Sequence, residues 1–390
     1  MNNFIYYTPT KVFFGRGEEN NVGKIIKSYG IKKVLLHYGS GSIKENGIYD
    51  RVISKLNEEK ISFVELSGVS PNPKLSLVKK GIELAREFEA ELILAVGGGS
   101  VIDSAKAIAD GFYDDGNIWD FWKKIRTPKK ALPVGTILTL AAAGSEMSDS
   151  CVITNEETKE KRGFSNELHR CLFSIMNPEL TYTVSKFQTG CGIVDIMMHT
   201  LERFFSVNDN TPITDEFGLG LLKSVVESGR IVIDNPNDYI SRANLMWCSS
   251  LSHNSITGCG KEYYMPVHQI EHELSGMFDN IAHGAGLSVL FPAWAKVVYK
   301  SDINRFKRFA LEVMQVKDTG DDDLTAYNGI LALEKFYKSI EMPTRLSELG
   351  VYEDSFEALA RNYTFQGTRT IPDRVLVDYD KCLEILKEAK

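Results

Sequence analysis

The stretch LILAVGGGSVID, residues 92–103, decides how the rest of the chain is read. Leu92–Val96 is a short apolar run of the kind that fills a buried parallel strand. It passes directly into Gly97, Gly98, Gly99 and Ser100, after which Val101, Ile102 and Asp103 open a helix. Glycines let backbone amides come close to a pyrophosphate, and a helix amino end adds partial positive charge. The spacing is not the G-x-G-x-x-G of the standard dinucleotide fingerprint. A tight turn is the plain alternative, although a turn rarely needs three consecutive glycines.

Outward from this stretch, the first half alternates β-branched runs with amphipathic segments, the pattern of parallel strands joined by crossover helices. Strands are predicted at Lys33–His37, Ser62–Leu66, Leu92–Val96 and Leu132–Thr139, and helices at Ile48–Glu58, Lys74–Glu89 and Ser104–Asp110. The expected fold is an α/β dinucleotide-binding domain with a parallel sheet and helices on both faces. Phe4–Phe14 alternates enough for a strand or hairpin, with Thr8–Pro9–Thr10 as its turn. After about Tyr182 the strand-like runs give way to helical patterns at Gly192–Phe205, Pro212–Asp234, Tyr239–Thr257 and Ile330–Ser339. An all-helical second domain is expected, with the division at 1–183 and 184–390 and a cleft between the two.

A second strand end carries small residues too: Tyr38, Gly39, Ser40, Gly41 and Ser42, then Ile43 and Lys44. An NAD site usually has a carboxylate here for the ribose 2′-hydroxyl, whereas a 2′-phosphate wants amides, hydroxyls and a cation. No acid precedes Glu45, and Lys44 is near, which favours NADP(H) over a solvated loop with a chance lysine. A third segment, Thr136–Ser148, brings hydroxyls and small residues to another strand end, suited to a flat ring or a diphosphate.

Composition removes several function classes. Of 390 residues, 43% are hydrophobic and 25% charged, as in ordinary globular proteins. The 45 basic residues against 52 acidic ones leave a net charge of −7, with no basic excess for nucleic acid or an anionic membrane. No apolar run approaches the roughly 20 residues of a membrane span, and Met1–Thr10 has no signal-peptide pattern, so a cytoplasmic location is expected. The six cysteines form no CxxC pair and read as reduced thiols packed in the core.

Only seven histidines are present, and His268, His272 and His283 fall within sixteen residues. Upstream, Asp195 and His199 are four apart on one helical face. One carboxylate and three imidazoles can hold a divalent metal while leaving a coordination position open, as catalytic sites require. HExxH is absent, which excludes a metalloprotease helix. Spacing leaves open whether His268 or His272 is the ligand.

Taken together, these segments resemble the iron-containing, group III alcohol dehydrogenases, and within them the NADPH-dependent butanol dehydrogenase and broad aldehyde reductase branch. The resemblance rests on Thr10–Gly15, Tyr38–Lys44, Gly97–Asp103, Gly144–Glu146, Asp195–Glu202 and His268 through Gly286, and so runs nearly the length of the chain. It implies metal ligation, by Fe²⁺ or Zn²⁺, at Asp195, His199, His268 and His283, with His272 beside the metal as a proton-relay residue. It also implies cofactor contacts at Gly39, Ser40, Gly41 and Ser42 for the adenosine-ribose phosphate. Gly97, Gly98, Gly99, Ser100 and Asp103 would hold the diphosphate, and Thr139, Ser145, Ser148 and Lys161 would line the nicotinamide half and phosphates.

Reversible hydride transfer between NADP(H) and a small-molecule alcohol or aldehyde, in a homodimer, is what this likeness implies. Three departures stand out: Ala143 replaces a common threonine and removes one hydroxyl, one residue is added within Phe278–Ala282, and Val184–Ser185 replaces Leu-Pro, leaving Ser185 to cap the next helix. The competing expectations are a metal- and nucleotide-dependent lyase of the dehydroquinate synthase type, and a non-catalytic nucleotide-binding protein.

Overall fold

In the computed structural model, which describes residues 1–207 and 210–390, the run Leu92–Gly97 is a strand with every residue buried. The strands in chain order are β1 (Lys11–Phe14), β2 (Lys33–Gly39), β3 (Ser62–Val69), β4 (Leu92–Gly97), β5 (Val134–Leu138), β6 (Ser150–Asn155), β7 (Glu160–Ser165) and β8 (Phe173–Met176). Six form one parallel sheet in the order β1-β8-β5-β4-β2-β3, and β6 and β7 pair as an antiparallel hairpin. Helices α1 (Val22–Ser28), α2 (Ser42–Glu45), α3 (Ile48–Glu58), α4 (Leu75–Phe88), α5 (Gly99–Phe112) and α6 (Trp119–Trp122) connect them.

Because side chains alternate along a strand, each face of the sheet recruits its own helices. Val34, Leu36, Leu92, Leu94, Val96 and Ile137 form one core with Val22 and Ile26 of α1 and Val52 and Leu56 of α3. On the opposite face, His37 meets Ser104 of α5, its Nε2 lying 2.8 Å from the hydroxyl. There α4 approaches so closely that a Cβ at Gly81 would lie 2.4 Å from Ile108.

The topology locates the ligand crevice. After β2 the chain adds β3 on one side, then crosses to place β4 on the other side of β2, so the two crossovers leave β2 in opposite directions. Ligands of open α/β sheets bind beyond the carboxyl ends of strands at such a switch point. Tyr38 and Val96 are register partners, so the loops 39–42 and 97–100 leave from adjacent strand ends.

The second unit consists of α7 (Lys186–Phe204), α8 (Pro212–Asp234), α9 (Tyr239–His253), α10 (Pro266–Met277), α11 (His283–Val298), α12 (Ile303–Glu312), α13 (Asp322–Ser339), α14 (Phe356–Tyr363) and α15 (Tyr379–Glu388). The chain divides into Tyr7–Val184 and Ser185–Lys390, the latter taking Met1–Tyr6 with it. The border thus lies one residue beyond the expected one, and the first six residues leave the α/β unit. The hairpin expected over Phe4–Phe14 does not form: only Lys11–Phe14 is extended in the sheet, parallel to β8, while the Asn2 amide donates to the Gly260 carbonyl at 2.9 Å. Pro9 has no N–H to give a ladder, which stops a strand there.

Helix α5 starts five residues earlier than periodicity indicated, because first-turn amides need no intrahelical carbonyl and the glycines can therefore be helical. Helix α9 ends at His253, short of Thr257, where Ser255 turns left-handed at φ 82°. All six cysteines are free thiols and five are buried. No helix among the described residues is long and apolar enough to cross a membrane.

Candidate metal centre and nucleotide loops

Helix α7 begins at Ser185, whose hydroxyl accepts from the Gln188 amide at 3.2 Å, the cap expected from sequence. Three turns on, Asp195 and His199 project from one face and are both buried. Helix α11 reaches this face because Gly284 lies against the Cys191 backbone, where a Cβ would sit 2.2 Å from the carbonyl oxygen. That contact carries His283 to the first turn of α11, alongside Asp195. Pro266 opens α10, which brings His268 in from a third direction.

Asp195, His199 and His268 offer ligand atoms that lie within 4.8 Å of one another, and His283 reaches Asp195 from the side it shares with Glu271 and His272. Asp195 Oδ1 lies 3.4 Å from His199 Nδ1, 3.8 Å from His268 Nε2 and 3.7 Å from His283 Nε2. Asp195 Oδ1 and His268 Nε2 are buried with no hydrogen-bond partner among the described residues. Leaving such atoms unmet costs about 1–3 kcal/mol each, more when charged, and a bound cation would meet both at once. Within the Phe278–Ala282 loop, Ile281 donates back to the Phe278 carbonyl at 2.9 Å.

In each ring Nδ1 is already engaged. His199 Nδ1 donates to the Asp195 backbone carbonyl at 2.9 Å, His268 Nδ1 to Glu202, and His283 Nδ1 to Glu271. In His268 and His283 this fixes the tautomer that leaves Nε2 facing Asp195 Oδ1, as outer-shell groups do at metal sites. Glu202 is itself held by the Val267 amide at 2.7 Å, and Glu202 and Glu271 are both buried.

Burial, with the nearby His253 and His268, pushes His199 well below the usual imidazole range, so it stands as a neutral ligand. At His268 burial acts in the same direction, but the Glu202 and Asp195 carboxylates outweigh it and raise the ring to about 9. A divalent ion bound beside these carboxylates would displace that proton.

The two candidates His268 and His272 lie in different places. His268 faces Asp195, whereas His272 lies one turn on, its ring 5.7 Å from that of His283, grouped with Glu271 and His283. His272 and His283 are only partly buried and mark the accessible side of the centre. Sequence reading missed Glu202, Glu271 and His253. Glu202 and Glu271 each follow a histidine by three, so helical spacing carried the signal for both. His253 stacks on His199 at 3.8 Å from the end of α9, which no spacing could show.

In the α/β unit, Ser40 and Ser42 are exposed beside the half-buried Gly39 and Gly41, with open space where a Gly41 Cβ would be. The lysine placed there by sequence is partly occupied: Lys44 Nζ lies 4.7 Å above the Tyr49 ring and 5.4 Å above that of Tyr38. Gly98 and Gly99 have a packing reason as well, since Cβ atoms there would come 3.1 Å from Leu140 and 3.2 Å from Ala143.

Asp103 accepts from the Ser145 hydroxyl at 2.5 Å and the Val152 amide at 2.9 Å, so its oxygens brace the loop after β5. Lys106, buried and not anticipated, donates to the carbonyls of Ser145 at 2.7 Å, Ser148 at 3.1 Å and Ser150 at 2.8 Å. Ser148 is fully buried, Thr139 extends β5 by donating its amide to Gly97 at 3.1 Å, and Lys161 is buried on β7 opposite Thr154.

Comparison with known proteins agrees with both units. The family model of the iron-containing alcohol dehydrogenases matches residues 9–178, and that of the Fe-containing alcohol dehydrogenase family, C-terminal, matches residues 189–389. The chain is 41% identical to NADH-dependent butanol dehydrogenase A of Clostridium acetobutylicum over 100% of both chains. It is 32% identical to an NADPH-dependent aldehyde reductase of Escherichia coli, again over 100% of both. Among solved structures it matches NADH-dependent butanol dehydrogenase A from Thermotoga maritima with a TM-score of 0.95 and 38% identity, covering 100% of this chain and 99% of that one.

Proposed function

The chain belongs to the iron-containing alcohol dehydrogenase family and is an alcohol or aldehyde oxidoreductase; from this we propose that it passes a hydride between NADP(H) and a primary alcohol or aldehyde. One divalent cation, Fe²⁺ or Zn²⁺, is assigned to Asp195, His199, His268 and His283, a nitrogen and oxygen set that suits either metal. The observation that carries this assignment is the buried, unmet Asp195 Oδ1 facing His268 Nε2. When bound, the cation supplies a Lewis acid for the carbonyl oxygen and the nicotinamide supplies or accepts the hydride.

The chain's own residues prepare that chemistry. Glu202 and Glu271 hold two ligand rings in one tautomer, so no reorganisation is needed as charge develops. His272, partly exposed and next to His283, carries the alcohol proton to solvent. Gly39, Ser40, Gly41 and Ser42 receive the adenosine-ribose phosphate, and Gly97–Ser100, which run from the end of β4 into the first turn of α5, receive the diphosphate. Thr139 and Lys161 line the nucleotide, while Asp103, Ser145 and Ser148 keep the loop after β5 in shape around it.

Of the three relatives named above, two are NADH-dependent and one is NADPH-dependent. NADP(H) is proposed for this chain because the loop after β2 offers hydroxyls and amides with no carboxylate before Glu45. A homodimer is proposed because Phe4, Ile5, Tyr6 and Tyr7 lie exposed in succession, with Ile5 at 86% exposure, and a second copy would cover them. The deciding experiment combines metal analysis with butanal reduction assayed against NADPH and NADH, with and without a chelator. Metal-dependent oxidation of NADPH is expected; turnover unaffected by complete metal removal would overturn the assignment.

A further inference from the structure

The three ligand rings are not held alike. His268 and His283 each give Nδ1–H to a buried carboxylate, a charge-assisted bond that fixes both tautomer and ring plane. His199 gives its Nδ1–H to the Asp195 carbonyl one turn back in the same helix. A carbonyl in the interior of a helix already accepts a backbone amide, so it is the weakest of the three orienting groups. What His199 has in addition is a flat neighbour: the His253 ring lies 3.8 Å from it, centroid to centroid, at 26° between planes. The His268 ring meets His199 at 4.7 Å, tilted by 41°.

The placement of His253 is built into the backbone. Arg203, one turn beyond His199 and buried, donates at 2.8 Å to the His199 carbonyl and also to the carbonyl of Ser252, the residue before His253. One guanidinium thus ties the helix that carries the ligand to the helix end that carries the stacking ring. Thr257 adds a bond to the Ser252 carbonyl at 3.2 Å, and the left-handed Ser255 turns the chain away immediately afterward.

We propose that His253 is a positioning residue for the metal centre, its stacked ring setting the plane of His199 as Glu202 and Glu271 set those of His268 and His283. This rests on the metal assignment made above. A stacked pair of rings contributes about 0.5–1.5 kcal/mol beyond burial, so loss of the flat face should loosen the centre about five-fold.

The test uses the whole chain loaded with Co²⁺, whose visible d–d band reports ligand geometry, and compares His253→Leu with His253→Phe. Leucine keeps bulk without a flat ring, and phenylalanine keeps the flat ring without nitrogens. His253→Leu is expected to release Co²⁺ to excess chelator about five times faster and to shift the band, with His253→Phe restoring both. Equal behaviour of His253→Leu and the unsubstituted chain would overturn the inference, as would a His253→Phe variant no better than the leucine one. If the unsubstituted chain takes up no Co²⁺, the metal assignment itself fails, whereas normal uptake with an indifferent His253→Leu removes this inference alone.

Discussion

Glu202→Gln keeps the size of the carboxylate beneath His268 while removing its charge and one of its two acceptor oxygens. The amide oxygen of glutamine can still accept from the Val267 amide, 2.7 Å away in the parent chain, so the start of α10 keeps its anchor. What is lost is the charged acceptor beneath His268 Nδ1, where the glutamine NH2 would meet the ring N–H donor to donor. A hydrogen bond to a charged group contributes about 1.5–3 kcal/mol, all of which is forfeited. At 1.36 kcal/mol per factor of ten, metal affinity should fall by about 10- to 150-fold, close to the range typical of such partners. Competition with a chromophoric chelator for Zn²⁺ measures this directly, and circular dichroism of the metal-free variant checks that the fold is intact. A dissociation constant within twofold of the parent would show that Glu202 serves only the backbone of α10 and that the argument from charge is wrong.

Other consequences are as accessible. Ser185→Ala removes the cap of α7 and should cost about 1 kcal/mol, read as a lower denaturant midpoint with an unchanged slope; no change would mean that the Gln188 amide finds water at no loss. Burial lowers His37 from 6.5 to about 4, so between those values the unfolded chain takes up a proton that the folded chain refuses. Stability should therefore fall as pH falls through that window, by about 2 kcal/mol at pH 5, and His37→Gln should lack that share of the pH dependence in denaturant titrations. His272→Asn should keep metal content while altering the pH–rate profile of aldehyde reduction; an unchanged profile would remove it as a proton carrier. Gly97→Ala would bring a Cβ to 2.5 Å from Val101 and should raise KM for the nucleotide several-fold, with a smaller change in kcat.

Much of this molecule was legible because its signals are local. Helices Ile48–Glu58 and Pro212–Asp234 end where periodicity places them, and Leu92–Val96 reads as a buried strand because every residue in it is apolar. The hairpin β6–β7 escaped notice because its strands mix polar residues, charged ones in β7, with apolar residues and owe their form to pairing with each other. The parallel partner of β1 lies more than 150 residues away at β8, a separation no pattern along the chain can bridge. At the metal centre, Asp195 with His199 showed through helical spacing, and so did the choice of His268 or His272, but only as a pair. Which of the two turns inward depends on where α7 lies, and this required the fold. Lys106 illustrates the opposite failure: a lysine in a helix is ordinarily solvated, yet here carbonyls from a distant loop surround it.

The assignment of Met1–Tyr6 to the helical unit has a bearing on biosynthesis. Residues 7–184 are contiguous and emerge from the ribosome together, so this portion can condense while translation continues. The helical portion is split: Met1–Tyr6 is made before the α/β unit, but Gly260, which receives the Asn2 amide, is made some 250 residues later. At typical synthesis rates of about 5–20 residues per second, that segment waits more than ten seconds for its docking place. During the wait Phe4, Ile5 and Tyr6 form an apolar stretch that a chaperone can hold.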